Sequence, residues 1–182
     1  MVYECGDEYT FVARIQNDTA WVFLPGRTIA LLQVTTESDA KYELDDIVLT
    51  IEGEEAQLRQ VDVPEMACVN NRRSAIWEHA KLNGADFRAI GNEPGWHLEI
   101  HHDKIILVAD YGAAIYEFDT PEPTTDPTAA QTTYRTTNDS HGLTVLIRGR
   151  RCMDTMSDEE FEVTVTVTLD DKTYRGCGRP LH

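Results

Sequence analysis

The residues best suited to metal binding are two histidines that flank a glutamate. His97, Glu99 and His101 alternate along the chain, so they share one face of a predicted strand and offer nitrogen and oxygen ligands. No fourth ligand follows at a typical spacing, and a solvated strand face accounts for the same residues. We therefore predict no metal and no cofactor.

A second group able to do chemistry is the basic run Arg148, Arg150 and Arg151. Guanidinium groups could capture an anionic ligand, but carboxylates lie close by in the sequence, and ion pairing with them is the favoured interpretation. The carboxylates are Asp154, Asp158, Glu159 and Glu160.

Candidates for hydrolysis exist only by residue type. Ser157 stands next to Asp158, Glu93 stands near Trp96, and Glu159 and Glu160 are adjacent carboxylates. The chain has no nucleophile-elbow motif, phosphate-binding glycine loop or metal-protease signature. We predict that the protein is not an enzyme.

Four cysteines fall as two pairs along the chain. Cys5 and Cys68 lie in the first part and Cys152 and Cys177 in the second, with spacings that suit neither a zinc site nor a redox motif. We predict one disulfide within each part, which requires an oxidising compartment, and keep free buried thiols as the alternative.

The formal net charge of −16 makes nucleic acid and anionic membrane surfaces poor partners. Residues 1–70 hold 4 Lys and Arg against 14 Asp and Glu, so this part attracts a basic partner most strongly. No apolar stretch is long enough to span a membrane, and we expect a removed export signal before Met1.

Short alternating segments separated by turns, among them Asn17-Asp18, Pro25-Gly26 and Asp45-Asp46, indicate antiparallel strands throughout. The exception is an amphipathic helix predicted near 71–83, with Ile76, Trp77, Ala80 and Leu82 on its apolar side. The proline-rich stretch 121–127 is predicted as a long loop. The prediction is a mainly β chain of two small antiparallel barrels or sandwiches joined by one helix. Its domains are 1–68, a linking helix at 69–85, and 86–182.

The first domain resembles the bacterial membrane-bound and periplasmic inhibitors of C-type lysozyme. The resemblance is carried by Tyr3-Glu4-Cys5, Phe11-Val12-Ala13, Leu24-Pro25-Gly26 and Gly53-Glu54-Glu55-Ala56. In that family, a loop with Ser-Gly-x-x-Tyr and a strand with x-Lys-Gly-x-x-Ala direct a serine and a lysine to the two catalytic carboxylates of lysozyme.

This chain departs from both motifs. Ser38-Asp39-Ala40-Lys41-Tyr42 matches the first motif with aspartate in place of glycine, and Glu52 stands at the lysine of the second. The resemblance therefore implies a lysozyme-binding site whose key charge is reversed. Its residues are Ser38, Lys41, Tyr42, Glu52, Gly53 and Ala56.

From this resemblance we expect a periplasmic or outer-membrane lipoprotein, with a lipid anchor in the precursor, that binds a basic protein, C-type lysozyme first. The alternative is a non-inhibitory envelope module with a ligand-binding or structural role. Replacing Glu52 with lysine is expected to strengthen inhibition.

The second domain resembles an uncharacterised bacterial envelope domain that follows such inhibitor-like units. The segments that carry this resemblance are Phe87-Arg88-Ala89, Gly91 to Trp96, Asp110-Tyr111-Gly112, Cys152 to Ser157 with Phe161, and Gly176-Cys177-Gly178. Asp158 departs from it, since glycine is common there. The resemblance implies a fold neighbour and a compartment but no reaction.

Overall fold

The computed structural model describes residues 1–6, 9–35, 39–61 and 63–182. These residues are mainly β with one α-helix, which confirms the predicted fold class. The chain divides into two compact units, Met1–His79 and Ala80–His182. Within the described ranges, no helix has both the length and the apolar content needed to cross a membrane.

The first unit is a closed antiparallel barrel of eight strands, each paired with its neighbour in the sequence. The strands are β1 (Val2–Cys5), β2 (Thr10–Gln16), β3 (Thr19–Leu24), β4 (Arg27–Val34), β5 (Ala40–Leu44), β6 (Ile47–Glu52), β7 (Glu55–Gln60) and β8 (Val63–Asn70). Tight turns join most of them, and Asn17, Gly26, Asp45 and Gly53 take the positive φ that such turns require. The predicted turns at 17–18, 25–26 and 45–46 are therefore confirmed.

The interior of the barrel is filled by alternate side chains from every strand. Tyr3 and Phe11 stack with ring centroids 5.2 Å apart, and Leu31, Leu49 and Leu58 are fully buried with them. The sequence pattern does not indicate β8, although this strand closes the barrel by pairing with β1. Its alternation is weak, because most of its side chains are exposed and Pro64 stands near its start.

The two predicted disulfides are both present, Cys5–Cys68 and Cys152–Cys177. Cys5 and Cys68 lie directly opposite each other on β1 and β8. The first disulfide therefore joins the two strands that close the barrel.

The helix α1 (Arg72–Leu82) begins and ends as its sequence predicts. The Asn71 side chain accepts a hydrogen bond from the Ser74 N–H at 3.0 Å, and Gly84 takes a φ of +87° just after the helix. Trp77 is 8 % exposed, as expected, but Ile76 is 52 % exposed and does not belong to the buried side.

The second unit is a curled antiparallel sheet of nine strands plus a two-stranded hairpin. Its strands are β9 (Ala85–Asn92), β10 (Gly95–His101), β11 (Lys104–Ala109), β12 (Ala114–Asp119), β13 (Thr124–Asp126), β14 (Gln131–Thr137), β15 (Gly142–Arg148), β16 (Cys152–Met153), β17 (Glu160–Phe161), β18 (Val163–Leu169) and β19 (Lys172–Pro180). The order across the sheet is β12-β11-β10-β9-β19-β18-β15-β14-β13. The proline-rich stretch after β12, predicted as a long loop, contains the edge strand β13.

The inner face of the curled sheet carries the core of this unit. Leu98, Leu107, Val145 and Val167 are fully buried there. Trp96 also lies on this face, and its indole N–H donates to the Arg175 carbonyl at 3.4 Å. The ring lies directly against Gly91 of β9, where an added Cβ would be 2.1 Å from the indole nitrogen.

The curl brings β12 towards β14, and side chains bridge the seam. The Thr136 hydroxyl donates to the Asp119 carbonyl at 3.0 Å, and the Asn138 amide donates to the Glu117 carbonyl at 3.1 Å. The Tyr116 and His141 rings meet edge to face nearby. The sheet is therefore nearly closed on itself without a full row of backbone hydrogen bonds.

Residues 149–162, which contain β16 and β17, form a covering segment tied to the outer face of the sheet. Cys152 joins it to β19 through Cys177, and Asp154 accepts a hydrogen bond from the Asn92 amide on β9. Arg179 of β19 forms an ion pair with Glu159 and lies over the buried Phe161 ring at 4.7 Å. The covering segment is thus fixed at both of its ends.

Candidate functional site

The residues predicted to bind lysozyme do not all reach one surface. Tyr42 and Ala56 are each 3 % exposed and belong to the barrel core, so their side chains are not available to a partner on the outside of the barrel. Ser38 lies outside the described residues. Lys41, Glu52 and Gly53 remain on the outside of the barrel.

Lys41 does not supply a free cation at this surface. Its ammonium group forms an ion pair with Glu43, two residues along β5. Lys41 therefore does not replace the positive charge of the lysine that the inhibitor motif carries at the position of Glu52.

One row of carboxylates crosses the outer face of the barrel. Glu52 of β6 lies directly opposite Glu55 of β7, Glu55 lies opposite Val69 of β8, and Val69 lies opposite Glu4 of β1. Asp39 precedes β5 on the other side of Glu52 and lines the same groove of about 300 Å³. We call Glu4, Asp39, Glu52, Glu55 and Val69 the acidic face.

The members of the acidic face differ in their partners. Glu4 accepts a hydrogen bond from the Asn71 amide at 2.7 Å. Glu52 and Glu55 are exposed, and no cation among the described residues pairs with either carboxylate. Like charges directly across a strand pair disfavour each other by roughly 0.2–1 kcal/mol, so this pair gains from an external cation.

Glu54, in the turn between Glu52 and Glu55, is by contrast neutralised. Arg72 donates to its carboxylate at 2.6 Å and Asn70 donates at 2.9 Å. These two side-chain hydrogen bonds, Arg72 first, lower the pKa of Glu54. The available charge of the turn is therefore concentrated on Glu52 and Glu55.

In the second unit, the strand with two histidines carries a partly buried charged cluster instead of the predicted solvated face. Arg88 of β9 forms an ion pair with Glu99 of β10, and the His101 ring lies 3.4 Å from the same carboxylate. Arg88 and His101 are 7 % and 8 % exposed. Alternation along β10 puts His101 on the same face as Glu99, and a register shift between β9 and β10 lies between Ile100 and His101.

No group of three or more His, Cys, Asp or Glu side chains with metal-binding geometry occurs in the part of the chain that the structure describes. Glu99 is instead engaged by a cation on the neighbouring strand. The cluster of Arg88, Glu99 and His101 is therefore an ion-pair site.

His97 gives this cluster a pH dependence. Burial, and then the positive charge of Arg88, lower the pKa of His97 below its ordinary value of 6.5, while Glu99 opposes them. Below pH 6.5 the unfolded chain therefore binds a proton that the folded chain resists. The contribution is complete above pH 6.5 and is lost as the pH falls from that value towards the lower folded-state pKa.

We expect the free energy of unfolding of the second unit to fall between pH 7.5 and pH 5, and His97→Gln to reduce that fall. Urea denaturation at several pH values measures it, with the exposed His102 as control through His102→Gln. An identical pH dependence in His97→Gln and the native chain would contradict the role of His97.

The second unit also has a cavity of about 850 Å³ on the outer face of its sheet, which we call the sheet cavity. The central strands β9, β19, β18 and β15 form its floor and the covering segment forms its wall. The segments that carry the resemblance of the second domain converge here: Gly91 to Glu93, Cys152 to Thr155, and Gly176-Cys177 line it.

Asp154 is a fixed part of the wall of the sheet cavity. It is 7 % exposed and accepts hydrogen bonds from the Ser157 hydroxyl, the Asn92 amide and the Met156 N–H. Burial favours a higher pKa of Asp154, but these hydrogen bonds outweigh it and the pKa is lowered. Asp154 therefore remains a carboxylate whose lone pairs are engaged within the protein.

The basic run meets its expected partners only in part. Arg151 forms the predicted ion pair with Glu160 at 2.7 Å. Glu159 pairs with Arg179 instead, and Asp154 pairs with neutral side chains. Arg148 lines the sheet cavity together with Arg175, a residue that the sequence analysis did not single out.

Comparisons with models of known protein families, with curated protein sequences and with solved structures gave no match for this chain.

Proposed function

We propose that the barrel binds a basic protein through the acidic face, with C-type lysozyme as the first partner to test. The observation that supports this proposal is the directly opposed pair Glu52 and Glu55, exposed beside a groove and without a cation among the described residues. A positively charged group of the partner beside Glu55 relieves this repulsion. The net charge of −16 adds long-range attraction for such a partner.

The resemblance to lysozyme inhibitors adds a direction of approach. If Ser38 and the strand end at Glu52 enter the lysozyme cleft, Glu52 faces the two catalytic carboxylates of the enzyme. The acidic charges around it then steer association, while Glu52 itself weakens the bound state. Charges at the rim mainly change the association rate, whereas desolvated contacts mainly change the dissociation rate.

Glu52→Lys is therefore expected to strengthen lysozyme inhibition, by about 1 kcal/mol or more, through a slower dissociation rate. The measurement is surface-immobilised binding kinetics together with inhibition of cell-wall lysis at 50 and 150 mM salt. Asp46→Lys is the matched control, because it makes the same change of charge at the other end of β6. In that control only the association rate is expected to fall.

Two results would decide against parts of this proposal. If Glu52→Lys and Asp46→Lys change the kinetics alike, the acidic face does not enter the cleft. If the native protein does not bind lysozyme at 50 mM salt, lysozyme binding itself is rejected. The alternative of a non-inhibitory envelope module would then stand.

A further inference from the structure

The sheet cavity has a polar floor in which two arginines flank two threonines. Arg148 of β15 lies directly opposite Thr164 of β18, and Arg175 of β19 lies directly opposite Thr166 of the same strand. These four residues alternate with inward-facing ones, so they share the outer face of the sheet. From strand spacing and rise, the two arginine Cα atoms are about 12 Å apart across β18.

Both arginines are exposed to the cavity, and their charges are not neutralised locally. Three other arginines of the unit have carboxylate partners, as Arg88 has Glu99, Arg151 has Glu160 and Arg179 has Glu159, whereas the exposed Arg135 and Arg150 have none among the described residues. Within the described ranges, neither Arg148 nor Arg175 has a carboxylate within ion-pair distance. Of the arginines without such a partner, Arg148 and Arg175 are the two that line the sheet cavity.

The two carboxylates that line the cavity, Asp154 and Glu93, do not neutralise Arg148 and Arg175. Asp154 is held by Ser157 and Asn92, as described above, so its position is fixed in the wall. Glu93 lies at the turn after β9 and is not paired with either arginine. The space between the arginines is thus open to an anion from outside.

We propose that the sheet cavity binds a hydroxylated small molecule through one oxyanion group, a carboxylate or a phosphate ester, held between Arg148 and Arg175. Arginine donates paired hydrogen bonds that suit both groups. The hydroxyls of Thr164 and Thr166 contact the oxyanion or the ligand atoms next to it. The Glu93 carboxylate accepts hydrogen bonds from hydroxyl groups of the ligand. Ile90 and Leu146 form the apolar surface for the carbon skeleton.

This binding is independent of the acidic face, which lies in the other unit. The long-range field of a chain with net charge −16 opposes an anion, so recognition acts at short range inside the cavity. Screening at physiological salt, with a Debye length of about 8 Å, weakens that opposition. Binding is therefore measured at 150 mM salt.

The test is calorimetric titration of the full chain with glucuronate, glucose 6-phosphate and uncharged glucose. We expect at least one anionic sugar to bind with a Kd below about 1 mM and glucose not to bind. The tighter anion identifies the oxyanion as carboxylate or phosphate. Arg148→Gln and Arg175→Gln are each expected to raise that Kd by about tenfold or more.

Arg135→Gln is the matched control, because Arg135 is exposed on β14 of the same sheet but does not line the cavity. It should leave the Kd unchanged, and thermal unfolding should be the same for all three variants. The proposal is overturned if neither anion binds with a Kd below about 1 mM, if glucose binds equally well, or if either cavity variant binds like the native chain.

Discussion

Replacing both Cys5 and Cys68 with alanine is expected to lower the free energy of unfolding of the first unit by about 4 kcal/mol. The two residues are separated by 63 positions, and the chain-entropy estimate for a loop of that length gives this value. A domain is typically stable by only about 5–15 kcal/mol, so the barrel loses a large share. The disulfide also joins the strands that close the barrel.

Hydrogen exchange followed by peptide is the suitable measurement, because it reports each unit separately. In the double variant Cys5→Ala, Cys68→Ala, the backbone amides of β1 and β8 should exchange through global opening of the barrel much faster than in the native chain. Peptides from Ala85 to Pro180 serve as the internal control and should keep their native rates. A loss below about 1 kcal/mol would contradict the prediction.

Gly176→Ala is expected to destabilise the second unit by about 3 kcal/mol or more. A Cβ at this position would lie 1.9 Å from the Ile90 carbonyl oxygen and 3.0 Å from the Gly91 Cα, both backbone atoms of β9. No change of side-chain rotamer relieves such a clash, so β9 and β19 must separate. Trp96, which packs over the same strands, would lose its position with them.

Chemical denaturation monitored by tryptophan fluorescence measures this effect. Gly142→Ala on β15 is the control, because its added Cβ would meet nothing closer than 3.9 Å and its φ is not positive. It should unfold at nearly the native midpoint. Equal midpoints for Gly176→Ala and Gly142→Ala would show that β9 and β19 do not approach as closely as described.

Much of the fold could be predicted from local patterns, because turns and alternation are local properties. Val163–Leu169 alternates valine or leucine with threonine and forms the strand that this pattern indicates. Asn17-Asp18 and Asp45-Asp46 form the expected turns because their first residues accept a positive φ. Both disulfides followed from the even division of cysteines between two units.

What could not be predicted depends on partners distant in the sequence. The strand β8 has little alternation of its own and is held by β1 and β7 on either side. The edge strand β13 stands between Pro123 and Pro127, and pairing with β14 alone defines it. The register shift between Ile100 and His101 changes the pairing of β10 with β9, and no pattern of alternation contains it.

In the candidate sites, too, composition could be predicted from the sequence, whereas the positions of the side chains depend on strand register. The acidity of the first unit was evident from composition, but the alignment of Glu52, Glu55 and Glu4 in one row follows from the register of four strands. Arg148 and Arg175 are 27 positions apart and meet only because β18 lies between their strands. The burial of Tyr42 likewise depends on the side of β5 that faces the barrel interior.

The seam of the curled sheet, between β12 and β14, protects the protein against aggregation through its edge strand. An open sheet offers unpaired backbone groups at its edge strands, and these invite strand-by-strand aggregation with other copies. In β12 the Glu117 carbonyl already accepts a hydrogen bond from Asn138, and the Asp119 carbonyl accepts one from Thr136. The side chains of Glu117 and Asp119 also carry negative charge. The edge is thereby protected twice, by occupied acceptors and by like-charge repulsion between copies. The barrel has no such exposure, because its first and last strands pair with each other.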